Sequence, residues 1–374
     1  MTNEAIPSLL SGGHIRASVN GALGLITLAR PEAMNALSVA MVRDLTQVLK
    51  HWAQHPQVQA VVLMGQGRDA QTPVFCAGGD IRFFHRAALA RDPDLAAFFT
   101  EEYALSHLIH HFPKPTIALM DGVVMGGGMG LAQGAKLRVV SERSRLAMPE
   151  TQIGFFPDVG GGWFLGQLPG HVGEWLALTG QTLGAGDAVE LGLADVFVPA
   201  QEWDALLDRL QGAPQPHAEH VVATVMERAE LAPDAEHLAH RARIDRLFGQ
   251  ADLGSILNAV SADQGDAWGS DVLQQLQHNS PLMMAVSLAL VRRARRLGLA
   301  DCLRLERVLA HQCFASHQAG GHSETVEGIR ALAVDKDRMP RWQPPTVADL
   351  KASAVEAFFA DPWPTGGHPL AGLA

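Results

Sequence analysis

Apolar strands, glycine turns and helices follow one another through the first 200 residues, and this order constrains the fold more than any other feature. One buried strand is predicted over 58–64 and another over 116–120, the second followed by glycines at 122 and 126–128. Alternating strands and helices are typical of layered α/β proteins. We therefore expect an α/β core over residues 1–200.

The N-terminal part of this core contains two local signals. HIRASV and ALGLITL flank Asn20-Gly21, a dipeptide that favours a type I′ turn, so we expect a β-hairpin there. Ser38 is placed to cap a helix with one buried face. The apolar positions of that face are Met41, Val42, Leu45, Val48, Leu49 and Trp52.

The composition changes after residue 200, and 201–374 is predicted to be a mainly helical C-terminal region. Polar breaks are expected near 212–216 and 265–270, and Ser280-Pro281 is a good helix start. The cluster Arg292, Arg293, Arg295 and Arg296 could meet phosphates, although a charged helix face is the simpler interpretation. The last dozen residues, WPTGGHPLAGLA, are predicted to form a loose tail.

Charge and cysteine content exclude several classes of protein. The chain carries 39 acidic and 29 basic side chains, a net charge of -10, which argues against a nucleic-acid partner. The longest apolar run, 281–291, is too short to span a membrane. Three cysteines cannot form a disulfide framework, and neither a zinc motif nor an N-terminal targeting pattern is present. We expect a soluble cytoplasmic protein without a metal site.

Two glycine-rich segments can expose backbone N–H groups that no side chain covers. They are VFCAGGDI at 74–81 and MDGVVMGGGMGL at 120–131, the second opening a helix whose positive dipole end faces the glycines. Two converging N–H groups are what an oxyanion requires. Either segment alone is more simply explained as a tight turn at the end of a strand.

A third segment favours the chemical interpretation. Glu150 and Asp158 lie eight residues apart in the apolar, glycine-rich stretch 147–162. Carboxylates in such surroundings are costly unless they are paired or functional. A salt-bridged structural role for one of them stays open. Together, the three segments predict an enzyme that holds the carbonyl oxygen of an acyl thioester.

These segments resemble the enoyl-CoA hydratase/isomerase (crotonase) superfamily. The similar motifs are ITLARPEAMNALSVAM, FCAGGDI, KPTIALMDGVVMGGGMGL, MPETQIGFFPDVGGG and LALTG. Within it, EEY at 101–103, NSPLMMAVSLAL and EGIRALAVDKDRMPRWQPP look most like the 3-hydroxyisobutyryl-CoA hydrolases. The resemblance covers about residues 14–350. It implies a crotonase-like spiral of β-β-α repeats, with the acyl-CoA site in 1–200 and the helical region in 201–374.

The resemblance also implies roles for individual residues. The amides of Gly79 and Gly127 would form the oxyanion hole, while Glu150 and Asp158 would be the other catalytic groups. Residues expected to contact the substrate are Glu32, Ala33, Met34, Ala77, Gly78, Asp80, Ile81, Glu102 and Gly126.

One position separates hydrolases from hydratases of this superfamily. Hydratases carry a glutamate two residues after GGG, where this chain has Gly130. The pair of glutamates that adds water across a double bond is therefore incomplete, whereas Asp158 matches the hydrolases. The expected reaction is hydrolysis of a 3-hydroxyacyl-CoA, most specifically 3-hydroxyisobutyryl-CoA, a step of valine breakdown.

Two alternatives remain from sequence. The chain could be an enoyl-CoA hydratase or isomerase on the same fold, or a non-catalytic acyl-CoA-binding relative. No cofactor is expected, because coenzyme A is part of the substrate. The expected partner is an acyl-CoA, with neither nucleic acid nor membrane. A homo-oligomer is left open, since relatives often assemble through C-terminal helices.

Overall fold

The computed structural model describes residues 7–69, 71–212 and 218–374. Residues 1–6, which belong to the N-terminal segment searched for a targeting pattern, lie outside the described residues. So does most of the predicted polar break at 212–216.

Short apolar segments form the strands found in the described residues. They are β1 (Ile15–Asn20), β2 (Leu23–Leu28), β3 (Ala60–Gly65), β4 (Val74–Cys76), β5 (Thr116–Met120), β6 (Val123–Met125), β7 (Leu137–Val140), β8 (Arg145–Ala147) and β9 (Val196–Phe197). One sheet has the order β1-β2-β3-β5-β7-β9, and a second has the order β4-β6-β8. In the larger sheet β1 and β2 are antiparallel, and every other neighbouring pair is parallel.

Helices follow the strands and then dominate the chain. They are α1 (Val39–Gln54), α2 (Ile81–Ala90), α3 (Asp94–His110), α4 (Gly127–Gln133), α5 (Gly161–Gly166), α6 (Val172–Thr179), α7 (Ala185–Glu190), α8 (Trp203–Gly212), α9 (Ala218–Met226), α10 (Arg241–Phe248), α11 (Leu253–Ser261), α12 (Ala267–His278), α13 (Pro281–Ala294), α14 (Leu299–Gln318), α15 (Glu324–Ile329) and α16 (Ala352–Phe358). None of the described helices is both long and apolar enough to cross a bilayer.

The element order confirms the predicted α/β class. Two strands and then helix occur four times along the chain, ending at α1, at α2 and α3, at α4 and at α5. In the second to fourth repeats, the first strand joins the larger sheet and the second strand joins the smaller one. All elements described after residue 200 are helical, as the composition predicted.

The two local predictions near the N-terminus had different outcomes. The Ser38 hydroxyl accepts a hydrogen bond from the Met41 amide and caps α1, whose predicted apolar face is buried. The hairpin exists, but the predicted turn residues are wrong by one position. Asn20 pairs with Leu23 as the last residue of β1, and the loop is Gly21-Ala22. Gly21 alone has a positive φ of 60°, which suits a turn with glycine first.

Contacts divide the chain into two compact units, each discontinuous in sequence. The sheet unit comprises Met1–Gly79, Ala104–Leu146 and Leu183–Ala239. The helical unit comprises Asp80–Tyr103, Ala147–Thr182 and His240–Ala374. The domain boundary predicted at residue 200 stays a prediction, since these units follow contacts in space and not the change in composition.

The core of the sheet unit lies between the larger sheet and helices α8 and α9. Strand residues such as Val62, Ile117 and Val139 pack in one cluster with residues of those helices such as Leu206 and Val221. Burial of this apolar surface is the main stabilising contribution.

The arginine cluster and the tail both have structural partners in the helical unit. Arg292 donates to the Ala251 carbonyl oxygen, Arg293 to Glu356 and Arg295 to Glu174, which favours the interpretation as a charged helix face. The prediction of a loose tail is wrong.

The tail is held because Leu370 is buried and Arg304 of α14 donates to the carbonyl oxygens of Leu370 and Leu373. These main-chain contacts cannot be read from the polar, glycine-rich composition of the segment.

A glycine pair in the sheet unit gives a first test. A Cβ at Gly128 would fall inside van der Waals contact of the Cys76 carbonyl oxygen and 2.9 Å from its Cβ, whereas a Cβ at Gly184 meets nothing within 4 Å. Gly128→Ala should lower the free energy of unfolding by about 3 kcal/mol through over-packing. Gly184→Ala, the matched control, should change it by less than about 1 kcal/mol. Urea denaturation checks this, and equal effects would contradict it.

Candidate active site

The two predicted glycine segments lie side by side in the sheet unit. Strands β4 and β6 are parallel neighbours, so both segments follow the C-terminal ends of adjacent strands. A Cβ placed on Gly78 would lie 3.2 Å from the Gly127 nitrogen. Gly78 and Gly126 have φ values of 101° and 50°, where a side chain would be strained. Glycine is therefore needed here both for conformation and for close approach.

The amides of Gly79 and Gly127 are available as donors. Among the described residues, neither amide donates a hydrogen bond to another protein group. Unpaired backbone N–H groups are uncommon unless water or a ligand satisfies them. The arrangement is suited to binding an oxygen that carries negative charge.

The predicted coenzyme A segments of the sheet unit are also neighbours. Glu32 and Ala33 belong to a one-turn 3-10 helix, and Met34 follows it with a left-handed φ of 50°. The Ala77 amide donates to the Met34 carbonyl oxygen at 3.0 Å. Arg68 donates to the Glu32 carbonyl oxygen at 3.1 Å and braces the turn. The structure thus joins 32–34 to Ala77.

Asp80 and Ile81 have local structural roles in the helical unit. The Asp80 carboxylate accepts a hydrogen bond from the Phe83 amide at 3.1 Å and caps α2, while Ile81 is the first residue of that helix. An aspartate at this position stabilises a helix by about 1 kcal/mol.

Asn35 links its own turn to strand β4, and it was not predicted from the sequence as a site residue. Its side-chain oxygen accepts from the Arg30 amide at 2.8 Å, and its Nδ2 donates to the carbonyl oxygens of Val74 and Phe75 at 2.9 and 3.1 Å. Its φ is 56°. The sequence signal is weak, because an asparagine after an apolar residue predicts neither positive φ nor three long-range hydrogen bonds.

The three predicted carboxyl groups come together in the helical unit. Glu102, Glu150 and Asp158 are 3%, 7% and 5% exposed. Tyr103, which follows Glu102 on α3, donates its hydroxyl to Asp158 Oδ2 at 2.8 Å. Glu150 Oε2 is buried and, among the described residues, has no hydrogen-bond partner. A buried oxygen of this kind is costly unless it meets water or substrate.

Burial raises the pKa of all three carboxyl groups. Desolvation raises the pKa of Asp158 to about 7, while the hydrogen bond from Tyr103 opposes the rise. Desolvation and then the charge of Asp158 raise the pKa values of Glu102 and Glu150 well above the ordinary range. With a pKa of about 7, Asp158 can exchange a proton at physiological pH.

A fourth buried carboxyl group, Glu306 on α14, was missed by sequence reasoning. It accepts hydrogen bonds from the Gly160 and Gly162 amides at 2.7 and 3.0 Å. Desolvation raises its pKa to about 8, and the Asp158 charge adds to the rise. Nothing in the sequence signals this contact, because Glu306 lies 146 residues from Gly160.

Gly130 lies in α4, where its amide donates to the Gly126 carbonyl oxygen at 3.2 Å. The residue is buried. The helix position at which hydratases of the resembling superfamily carry a carboxyl group therefore has no side chain here.

Comparisons with known proteins identify the family of the chain. A family model described as enoyl-CoA hydratase/isomerase matches residues 23–359. The mitochondrial 3-hydroxyisobutyryl-CoA hydrolase of Gallus gallus is 33% identical over 369 residues, covering 96% of this chain and 91% of that protein. The 3-hydroxyisobutyryl-CoA hydrolase 1 of Arabidopsis thaliana is 33% identical over 364 residues, covering 94% and 92%.

A solved structure is similar over nearly the same span. The crystal structure of a carnitinyl-CoA dehydratase from Mycobacterium thermoresistibile has a TM-score of 0.84 and 35% identity, covering 93% of this chain and 97% of that one. The predicted crotonase-like α/β fold and the predicted likeness to the hydrolases are confirmed.

The raised pKa of Asp158 predicts how stability changes with pH. Because the folded state favours the protonated carboxyl, its contribution is complete below about pH 4 and is lost as the pH rises to about 7. Asp158→Asn replaces the carboxyl group with an amide that does not titrate, so this fall in stability with rising pH disappears. The variant should therefore gain stability relative to the parent chain, by a few kcal/mol, between pH 4 and pH 7, and no more above that.

Urea midpoints at several pH values measure this difference. Asp252→Asn is the matched control, because Asp252 is an exposed helix cap whose pKa lies below its ordinary value, with the Ser255 amide as the first cause. The control should show no gain over the same range. A pH-independent difference for Asp158→Asn would refute the pKa assignment.

Proposed function

Because the chain belongs to the enoyl-CoA hydratase/isomerase family, we propose that it hydrolyses a short 3-hydroxyacyl-CoA, most specifically 3-hydroxyisobutyryl-CoA. The products are 3-hydroxyisobutyrate and coenzyme A, which makes the reaction a step of valine breakdown. The observation that carries the proposal is the buried group of Glu102, Glu150 and Asp158 with Tyr103. The names of the relatives from Gallus gallus and Arabidopsis thaliana support it.

The reaction needs a nucleophile and a place for negative charge. In the general-base route, Glu150 takes a proton from water as the water oxygen bonds to the carbonyl carbon. The carbonyl electron pair moves to oxygen, where the Gly79 and Gly127 amides stabilise it by roughly 3 kcal/mol per donor. The C–S bond then breaks, and the coenzyme A thiolate leaves readily because it is a weak base; the proton that Glu150 accepted passes to the thiolate.

A covalent route gives the same products. Glu150 itself bonds to the carbonyl carbon, the thiolate leaves, and water opens the resulting anhydride. The buried Glu150 Oε2 without a protein partner is compatible with either route.

Asp158 is proposed to orient the 3-hydroxyl of the substrate or to assist proton transfer. With its pKa near 7 it is present in both protonation states at neutral pH, so it can accept or donate. Glu102, whose pKa is raised first by desolvation and then by the Asp158 charge, is proposed to contact the substrate.

A second candidate is reversible addition of water to an enoyl-CoA. The similarity to a structure described as a carnitinyl-CoA dehydratase favours it. Gly130 opposes it, because the second glutamate of that chemistry is missing. A non-catalytic acyl-CoA binder is opposed by the cost of keeping Glu102, Glu150 and Asp158 buried without a reaction to perform.

The proposal requires no cofactor beyond the substrate's own coenzyme A. A cytoplasmic location, which the reduced cysteines favour, stays a prediction, and the Gallus gallus relative is named mitochondrial. A homo-oligomer also stays a prediction.

Two substrates separate the candidates. Purified protein is incubated with 3-hydroxyisobutyryl-CoA and with crotonyl-CoA, while free thiol and the ultraviolet absorbance of the conjugated thioester are followed. Thiol release from the first substrate alone is expected. Loss of enoyl absorbance without thiol release would replace the hydrolase with a hydratase, and binding without either signal would leave a binder.

Glu150→Gln should lower kcat by about two to four orders of magnitude, because the amide can neither accept the proton nor attack. Substrate binding, measured by calorimetry, should be retained. The matched control is Glu174→Gln, a buried glutamate of the helical unit that pairs with Arg295 at 2.8 Å. It should keep kcat. Near-parental turnover of Glu150→Gln would remove Glu150 from its role.

Oxygen-18 water distinguishes the two routes. Under single-turnover conditions, opening of the anhydride by attack at the Glu150 carbonyl would leave label in that side chain, which mass analysis of its peptide detects. Absence of label in the carboxyl group would exclude this form of the covalent route.

A further inference from the structure

The turn that carries Asp158 is an unfavourable piece of backbone. Val159 and Gly160 directly follow Asp158 and have φ values of 54° and 88°. A β-branched residue at positive φ is a genuine outlier and persists only where its surroundings enforce it. Helix α5 starts at the next residue, and its N-cap, Gly160, has no side chain to cap the first turn. Another group must hold this turn.

Glu306 holds the turn from a distant helix. Its Oε2 accepts the Gly160 amide at 2.7 Å, and its Oε1 accepts the Gly162 amide at 3.0 Å. Cys302, one turn earlier on α14, donates its thiol to Oε1 at 3.4 Å. Glu306 is fully buried, so water cannot replace these contacts. One carboxylate thus supplies the cap that α5 lacks and fixes the backbone on which Asp158 sits.

We propose that Glu306 is a positioning residue for the thioester hydrolysis, acting on Asp158 by clamping the Val159–Gly160 turn with the two oxygens of its carboxyl group. Tyr103 holds the Asp158 side chain by its hydroxyl, and Glu306 holds the backbone two and four residues beyond Asp158. The expected effect on kcat rests on the proposed function, whereas the contacts of Glu306 with the turn do not.

Several ionisable groups act on Glu306. Asp158 and Cys302 are close to it, and the charge of Glu306 in turn raises the pKa values of Tyr103 and Glu150. With pKa values of about 7 for Asp158 and about 8 for Glu306, the two carboxyl groups should lose their protons in successive macroscopic steps.

The chain offers a single reporter for these steps. Tyr103 is the only tyrosine in the sequence, and it donates to Asp158. Tyrosine labelled with carbon-13 at Cζ therefore gives one resonance that senses the charge of Asp158 directly and that of Glu306 nearby. In the unmodified protein we expect this resonance to move in two steps, near pH 7 and near pH 8.

Two variants test separately the charge of Glu306 and the length of its side chain. Glu306→Gln keeps the length but points an amide donor at one of the two glycine donors, and it should abolish the step near pH 8. Glu306→Asp keeps the charge but is too short to reach both amides, and it should retain two steps. Both should lower kcat by about 10- to 100-fold with little change in KM, because a displaced Asp158 is misaligned. Glu174→Gln, the matched control, should change neither the steps nor kcat.

The outcomes are distinct. A Glu306→Gln variant whose titration and kcat both match those of the unmodified protein would overturn the inference. A loss of folding stability with an unchanged kcat in Glu306→Asp would reduce Glu306 to a structural residue and overturn it as well. The titration needs no turnover, and Glu306→Asp provides a second variant if Glu306→Gln does not fold. If thiol release is absent but the two steps and their loss are observed, the proposed reaction fails while the clamp stands.

Discussion

The burial of several carboxyl groups in one helical unit costs free energy, and hydrogen-bond donors of that unit offset part of this cost. Glu102, Glu150, Asp158 and Glu306 are all nearly inaccessible to solvent. The first cause of each raised pKa is desolvation. A fold keeps such groups only when donors offset part of the penalty or when their reactivity is needed.

The donors are distributed unevenly, and this separates the four groups. Glu306 accepts two backbone amides and a thiol, and Asp158 accepts the hydroxyl of Tyr103. Glu150, in contrast, has a buried oxygen that no described group satisfies. Glu306 is therefore suited to holding geometry, while Glu150 has an oxygen available to water or substrate.

The sequence predicted those features that are local in the chain. The two glycine segments, the Ser38 cap and the pair Glu150 and Asp158 are each visible within a dozen residues. Asn35 and Glu306 were missed because their partners lie 40 and 146 residues away along the chain.

Errors at the hairpin and the tail have related causes. Asn20 favours a left-handed turn by propensity, but the pairing of β1 with β2 extends one residue further and moves the loop to Gly21-Ala22. Composition marks 363–374 as loose, although burial of Leu370 and contacts from Arg304 hold it. In both places tertiary contacts outweigh local preference.

The interleaving of the two compact units has a consequence for synthesis on the ribosome. The sheet unit receives its third segment, Leu183–Ala239, before the third segment of the helical unit begins at His240. Glu150 and Asp158 are translated long before Glu306, which lies in the final segment. The nascent chain must therefore carry the Asp158 turn without its clamp for about 150 residues of elongation, so the acidic cluster is completed only after Glu306 has been made.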